Sequence, residues 1–154
     1  MSKDKKVSSI LTGVAGEYFA AAELSRRGYV ASITLRNTKG IDIIATNEEG
    51  SKTINIQVKT SGLKTRGWIL NKKAEEMTDE NMFYILVRLT ASDKRPFFHI
   101  IPSADVAHYV KTGHRNWLKT PGRGGQKHND TNMRKFEDPD NKYLDRWELL
   151  GLDE

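Results

Sequence analysis

The chain has 154 residues, no cysteine and a formal net charge of +5. That length suits one domain with a substantial core, and the lack of cysteine excludes disulfides and thiolate sites. No run approaches the roughly 20 apolar residues that span a bilayer, and MSKDKKVSSI lacks the apolar stretch of a secretory signal, so a cytoplasmic protein is expected.

Leu11 to Arg27 reads as a helix, because Leu11, Val14, Ala15, Tyr18, Phe19 and Ala22 recur at helical spacing and Gly28 stops it. Glu17 lies off that stripe. Its neighbours one turn on, Ala20, Ala21 and Leu24, form a small apolar second face with one carboxylate embedded in it. Tyr29 to Leu35 predicts a first strand, and Gly40 to Asn47 and Lys52 to Ser61 predict a hairpin of β-branched strands. Gly62 to Trp68 reads as a loop carrying Lys64 and Arg66, and Leu70 to Glu80 as a polar, weakly helical segment. Met82 to Leu89 is almost continuously apolar, which predicts a central strand; Pro96 to Ile101 predicts another. A short helix follows through Val110 with Ser103 as its N-cap. Thr120 to Asn132 is a long Gly-rich loop, and Tyr143 to Leu152 a closing segment whose Leu144, Trp147 and Leu150 can dock on the core. No repeat or linker divides the chain. One domain over residues 1–154 is expected, of α/β (α+β) class, with a central mixed sheet flanked by helices.

Asp42, Gln57 and Lys59 sit inside the hairpin strands, where charged and polar groups cost free energy unless paired, solvated or bound. Gln57 and Lys59, two apart, share a face. An even-length turn sets Asp42 opposite Gln57 on that same face, whereas a three-residue turn with a Gly50 bulge sets it opposite Ile56. The even register keeps Ile43 with Ile54, Ile56 and Val58 and gathers the polar groups. A face bearing Asp42, Gln57 and Lys59, covered by the helix that carries Glu17, makes an acidic pocket with one lysine. Such a set suits a hard divalent cation.

The segments GEYFAAAELSRRGY, GIDIIA and INIQVKT, within Gly16 to Ser61 and about a third of the chain, resemble the PD-(D/E)xK nuclease superfamily with its restriction-endonuclease-like fold. The order of motifs looks most like the Holliday-junction-resolvase branch, where a helical Glu precedes the Gly/Pro-x-Asp strand and the Glu-x-Lys strand. The resemblance implies a metal-dependent endonuclease acting on DNA phosphodiesters. In it Glu17 is the accessory metal ligand, Asp42 the central metal-bridging aspartate, Gln57 the third position and Lys59 the catalytic lysine, with the Val58 carbonyl also touching Mg²⁺ or Mn²⁺. Gln57 departs from the pattern, since a neutral amide oxygen replaces a carboxylate. Gln occupies this position in some active members, including certain homing and restriction endonucleases. A catalytically silent nucleic-acid-binding or assembly module on the same fold is the alternative.

Charge is unevenly spread. Lys111, Arg115, Lys119, Arg123, Lys127, Arg134 and Lys135 are opposed only by Asp130, and an acidic tail follows. This pattern reads either as a face for a polyanion or as a solvated loop. On the first reading Lys64, Arg66, Arg115, Lys119, Arg123, Lys127 and Arg134 grip a nucleic-acid backbone, with DNA the expected partner; cutting both strands calls for a homodimer. Trp117, amid the basic stretch, is either a groove wall or a base-stacking platform. His99, His108, His114 and His128 lack zinc spacing and are read as structural or phosphate-contacting.

Overall fold

Residues 6–35, 39–62 and 64–154 are described in a computed structural model of the chain. Residue 63 of the predicted Gly62–Trp68 loop lies outside the described residues. Helix α1 (Ser9–Arg26) starts where the Ser8 hydroxyl accepts the Leu11 N–H at 3.3 Å, and leads into strands β1 (Val30–Ile33), β2 (Ile43–Thr46) and β3 (Thr53–Ser61). Strands β4 (Trp68–Asn71), β5 (Met82–Arg88) and β6 (Phe97–Pro102) follow, then helix α2 (Ser103–Lys119) and strand β7 (Met133–Phe136). Short 3-10 turns lie at Lys72–Glu76 and Trp147–Leu150.

Five strands form one mixed sheet in the order β1-β2-β3-β5-β6, and β4 pairs with β7 in a separate two-stranded ribbon. The β3–β5 pair is parallel and the others antiparallel, which is the mixed sheet expected. Every residue from Met82 to Val87 is buried, as its unbroken apolar run predicts for a central strand.

The sheet carries a core on each face. On one, Ala20 and Leu24 of α1 pack with Ile43, Ala45, Ile54, Ile56, Val58, Ile85 and Val87, and Trp147, Leu150 and Leu152 of the closing segment complete the cluster. On the other, Tyr84, Leu86 and Ile101 meet Val106 and Val110 of α2 and Trp68, Leu70 and Phe136 of the ribbon. The ribbon is thus a second layer on the α2 side.

Three expectations change. The stripe of Leu11, Tyr18 and Phe19 points outward, and the small face of α1 is the one that packs. Gly16 explains why: a Cβ there would lie 1.8 Å from Thr60 Oγ1, so helix and strand approach closer than a leucine face permits. Helix α2 runs on past Val110 to Lys119, and Ser103 is its first buried residue rather than its cap, donating its hydroxyl to the Asp79 carbonyl at 2.9 Å. Strands β4 and β7, in stretches read as loop, polar segment and basic run, are held by each other and by Trp68. Its indole N–H donates to the Val87 carbonyl at 2.9 Å.

Candidate active site

The β2–β3 pairing sets Ile43 opposite Ile56 and Ala45 opposite Ile54. Asn47 and Lys52 close the turn by a backbone bond of 3.2 Å, leaving the even-length connection that the burial of Ile43 requires. The regular pairing ends at Ile43 and Ile56, one residue short of Asp42. Because Ile54, Ile56 and Val58 face α1, strand alternation turns Asn55, Gln57 and Lys59 to the other side of the sheet.

At Asp42 the ladder changes character. The Asp42 N–H donates to the Ile56 carbonyl at 2.8 Å, and the Val58 N–H donates to Asp42 Oδ2, also at 2.8 Å. The carboxylate replaces a main-chain acceptor and is held at the end of the hairpin, while the Asp42 carbonyl accepts the Thr34 N–H at 2.9 Å. Among the described residues Oδ1 of Asp42, the amide of Gln57 and Nζ of Lys59 have no hydrogen-bond or ion-pair partner. All three residues are half-buried. Because Asp42 bonds the Val58 N–H, it sits beside Gln57 and Lys59, and all three keep polar atoms open to solvent or a ligand.

Glu17 reaches this region from elsewhere. Helix α1 covers the face opposite Lys59, so the expected covering of the polar face by that helix is corrected. The close contact of Gly16 with Thr60 nevertheless brings the Gly16–Glu17 turn to the carboxyl end of β3, next to Lys59 in sequence, and Glu17 is half-buried there. Val58, buried, offers only its main chain. Among the described residues no group of three His, Cys, Asp or Glu side chains is placed to hold a metal ion. The oxygens that Glu17, Asp42, Gln57 and the Val58 main chain carry are hard ligands of the kind Mg²⁺ takes.

The basic residues divide. Lys64, Arg66, Arg115, Lys119, Arg123 and Lys127 are exposed on the loop after β3, the outer half of α2 and the Gly-rich loop. Arg134 is not: it is buried, with Nε bonded to Glu75 Oε1 at 2.8 Å and Nη1 donating to the Thr131 and Met133 carbonyls. Its expected place on a phosphate-binding face is therefore corrected, since its donors hold the ribbon to the 3-10 turn after β4.

The Gly-rich loop folds back on α2. His128 stacks on Trp117 at 4.0 Å, and His114 Nε2 lies 2.7 Å from Asp130 Oδ1. Trp117 lines a groove of about 690 Å³ between α2 and β7, with its ring already stacked by histidine. His99 is structural: it is buried, Nδ1 lies 2.8 Å from Asp138 Oδ2, and its ring stands edge-on to Trp68. Burial holds its pKa below the ordinary histidine value, against the opposing pull of Asp138.

The chain matches no protein-family model, and no curated protein sequence matches it. Among solved structures it is similar to that of a bacterial homing endonuclease, I-Ssp6803I, at 16% sequence identity and a TM-score of 0.58, over 96% of this chain and 95% of that one. The fold of the two chains is shared along essentially their whole length.

Proposed function

We propose that this chain is a metal-dependent endonuclease of the PD-(D/E)xK type that hydrolyses DNA phosphodiester bonds, with Gln57-Val58-Lys59 as a variant third motif. The observation that carries the reading is the set of uncommitted groups at the β2–β3 end, Asp42 Oδ1, Gln57 and Lys59, on a fold shared with an endonuclease. Glu17 and Asp42, with the oxygens of Gln57 and Val58, would hold Mg²⁺ or Mn²⁺. When bound, such an ion supplies Lewis acidity to the scissile phosphate and makes a water more acidic. Lys59 positions the attacking water and offsets charge gathering on the phosphoryl oxygens as the bond from phosphorus to the leaving sugar oxygen breaks. The Val58 N–H fixes the Asp42 carboxylate, so the central ligand is oriented before any ion arrives. Lys64, Arg66, Arg115, Lys119, Arg123 and Lys127 hold the DNA backbone without reading sequence.

The test is cleavage of linear, branched and single-stranded DNA, and of RNA, with Mg²⁺ or Mn²⁺ and with EDTA. Metal-dependent cutting of DNA that Asp42→Ala and Lys59→Ala abolish supports the reading. Preference for branched over linear duplex would place the chain in the resolvase-like branch that its motif order resembles. Cutting of both strands calls for a dimer, which sedimentation would register. DNA binding without cleavage on any substrate would make it the silent binding module instead.

A further inference from the structure

Resting on that reading, we propose that the β4–β7 ribbon reads base pairs in the major groove of B-form DNA, which makes cleavage sequence-dependent. The ribbon has two unlike faces. Its inner face, Trp68, Leu70 and Phe136, is buried against Tyr84 and Leu86. Gly67 begins it in the left-handed region at φ 71°, where a Cβ would come within 2.3 Å of the Phe136 carbonyl. The outer face carries Ile69 opposite Lys135 and Asn71 opposite Met133, with Ile69 49% and Met133 59% exposed. Ile69 and Met133 belong to neither core, and Met133 and Lys135 also border the groove between β7 and α2.

Position and charge favour a nucleic-acid occupant. The ribbon lies on the side of the five-stranded sheet to which alternation turns Gln57 and Lys59. Exposed Lys64 and Arg66 precede β4, and exposed Lys72 and Lys73 follow it, so cations stand at both ends for the two flanking backbones. The major groove of B-DNA, about 12 Å wide, admits a two-stranded β-ribbon, whereas the major groove of A-form RNA is too narrow. Four residues per strand at about 3.3 Å each span on the order of four base pairs.

The outer residues suit base edges. A lysine donates to guanine O6 and N7, an asparagine can bridge adenine N6 and N7, and apolar side chains meet the thymine methyl. Asn71 Oδ1 already accepts the Lys73 N–H at 3.1 Å, which leaves its amide donors and a second lone pair. Lys135 is paired with Glu137 at 2.9 Å, an exposed pair weak enough to yield to a base or phosphate.

The experiment is selection of bound duplexes from a randomised DNA library by the wild-type chain, Asn71→Ala, Lys135→Ala and the double variant Lys72→Ala/Lys73→Ala, with EDTA present, alongside the cleavage assay. Wild-type selection of a motif with about four fixed base pairs is expected. Each single ribbon variant should lose preference at one position, by roughly tenfold or more. The double lysine variant should weaken binding alike for all sequences. Circular dichroism confirms that these exposed substitutions leave the fold intact. A motif unchanged by both ribbon variants, or no motif at all, overturns the proposal while metal-dependent cleavage still stands. A ribbon-dependent motif without any cleavage upholds the ribbon and rejects the nuclease.

Discussion

The carboxylate of Asp42 accepts the Val58 N–H at 2.8 Å, so the residue placed at the centre of the proposed metal site also completes the β2–β3 pairing. The two roles separate by substitution. Asp42→Asn keeps an oxygen acceptor for Val58 but removes the charge, so the fold should hold while cleavage falls by about 100-fold or more. Asp42→Ala should also leave a main-chain donor without its acceptor and lower stability by roughly 1–3 kcal/mol. Urea denaturation beside the cleavage assay measures both; equal stability of the two variants would show that the Val58 contact contributes nothing.

At Gly16, helix α1 comes close to Thr60 of β3. An added Cβ meets Thr60 Oγ1 at 1.8 Å and Thr60 Cβ at 2.9 Å, and the second atom cannot swing aside. Gly16→Ala should therefore destabilise by roughly 1–3 kcal/mol despite alanine's better helix propensity. It should also disturb metal affinity through Glu17. Adding Thr60→Ala relieves the contact with Oγ1 and should restore part of the loss; a Gly16→Ala chain as stable as wild type would refute this packing.

Much of this was legible in the chain. The hairpin register followed from one constraint, that Ile43 shares a face with Ile54, Ile56 and Val58, and burial of that face admits a single register. The central strand announced itself by its apolar run. What misled was α1, where large side chains at perfect helical spacing outweighed a face of Gly16, Ala20 and Leu24 that packs because it is small. The ribbon was hidden because four-residue strands of mixed polarity carry little periodicity, and their pairing joins Trp68 to the distant Phe136. Arg134 looked like its basic neighbours; nothing local distinguishes a buried arginine, whose partner Glu75 is remote in sequence.

Stability should fall on mild acidification because of His99. Its folded pKa lies below the ordinary value of 6.5, chiefly through burial, so the unfolded chain binds the proton more readily. The contribution is present above about pH 6.5 and is lost as pH drops from there toward the depressed folded value. Urea midpoints at pH 8 and pH 5.5 should differ in that direction, and His99→Gln should shrink the difference. A midpoint that rises on acidification would contradict the assignment.

Neutralising Arg115, Lys119 and Arg123 together should weaken binding to many DNA sequences alike and lower the salt slope by about 2–3, one increment per lost phosphate contact. Arg134→Gln should behave differently, leaving the slope unchanged but costing stability, because Glu75 loses its partner. An unchanged slope in the triple variant would make the segment a solvated surface.

Gln57 bears on the chemistry most directly. A site with two carboxylates and a neutral amide oxygen should bind Mg²⁺ modestly, since each carboxylate oxygen attracts a dication more strongly than an amide does. Gln57→Glu should therefore lower the Mg²⁺ concentration needed for half-maximal cleavage, and tighten Mg²⁺ binding measured by calorimetry without DNA. The added carboxylate also lies two residues from Lys59 on the same strand face, so it can pair with that lysine and slow turnover even as the ion binds better. Lys59→Ala, in contrast, should abolish cleavage while leaving DNA affinity nearly intact, because one lysine is a small share of the basic surface. Tighter Mg²⁺ binding in Gln57→Glu and cleavage lost in Lys59→Ala would locate the reaction at the end of β3. Wild-type cleavage that survives both Lys59→Ala and Asp42→Ala would place the active site elsewhere on the chain.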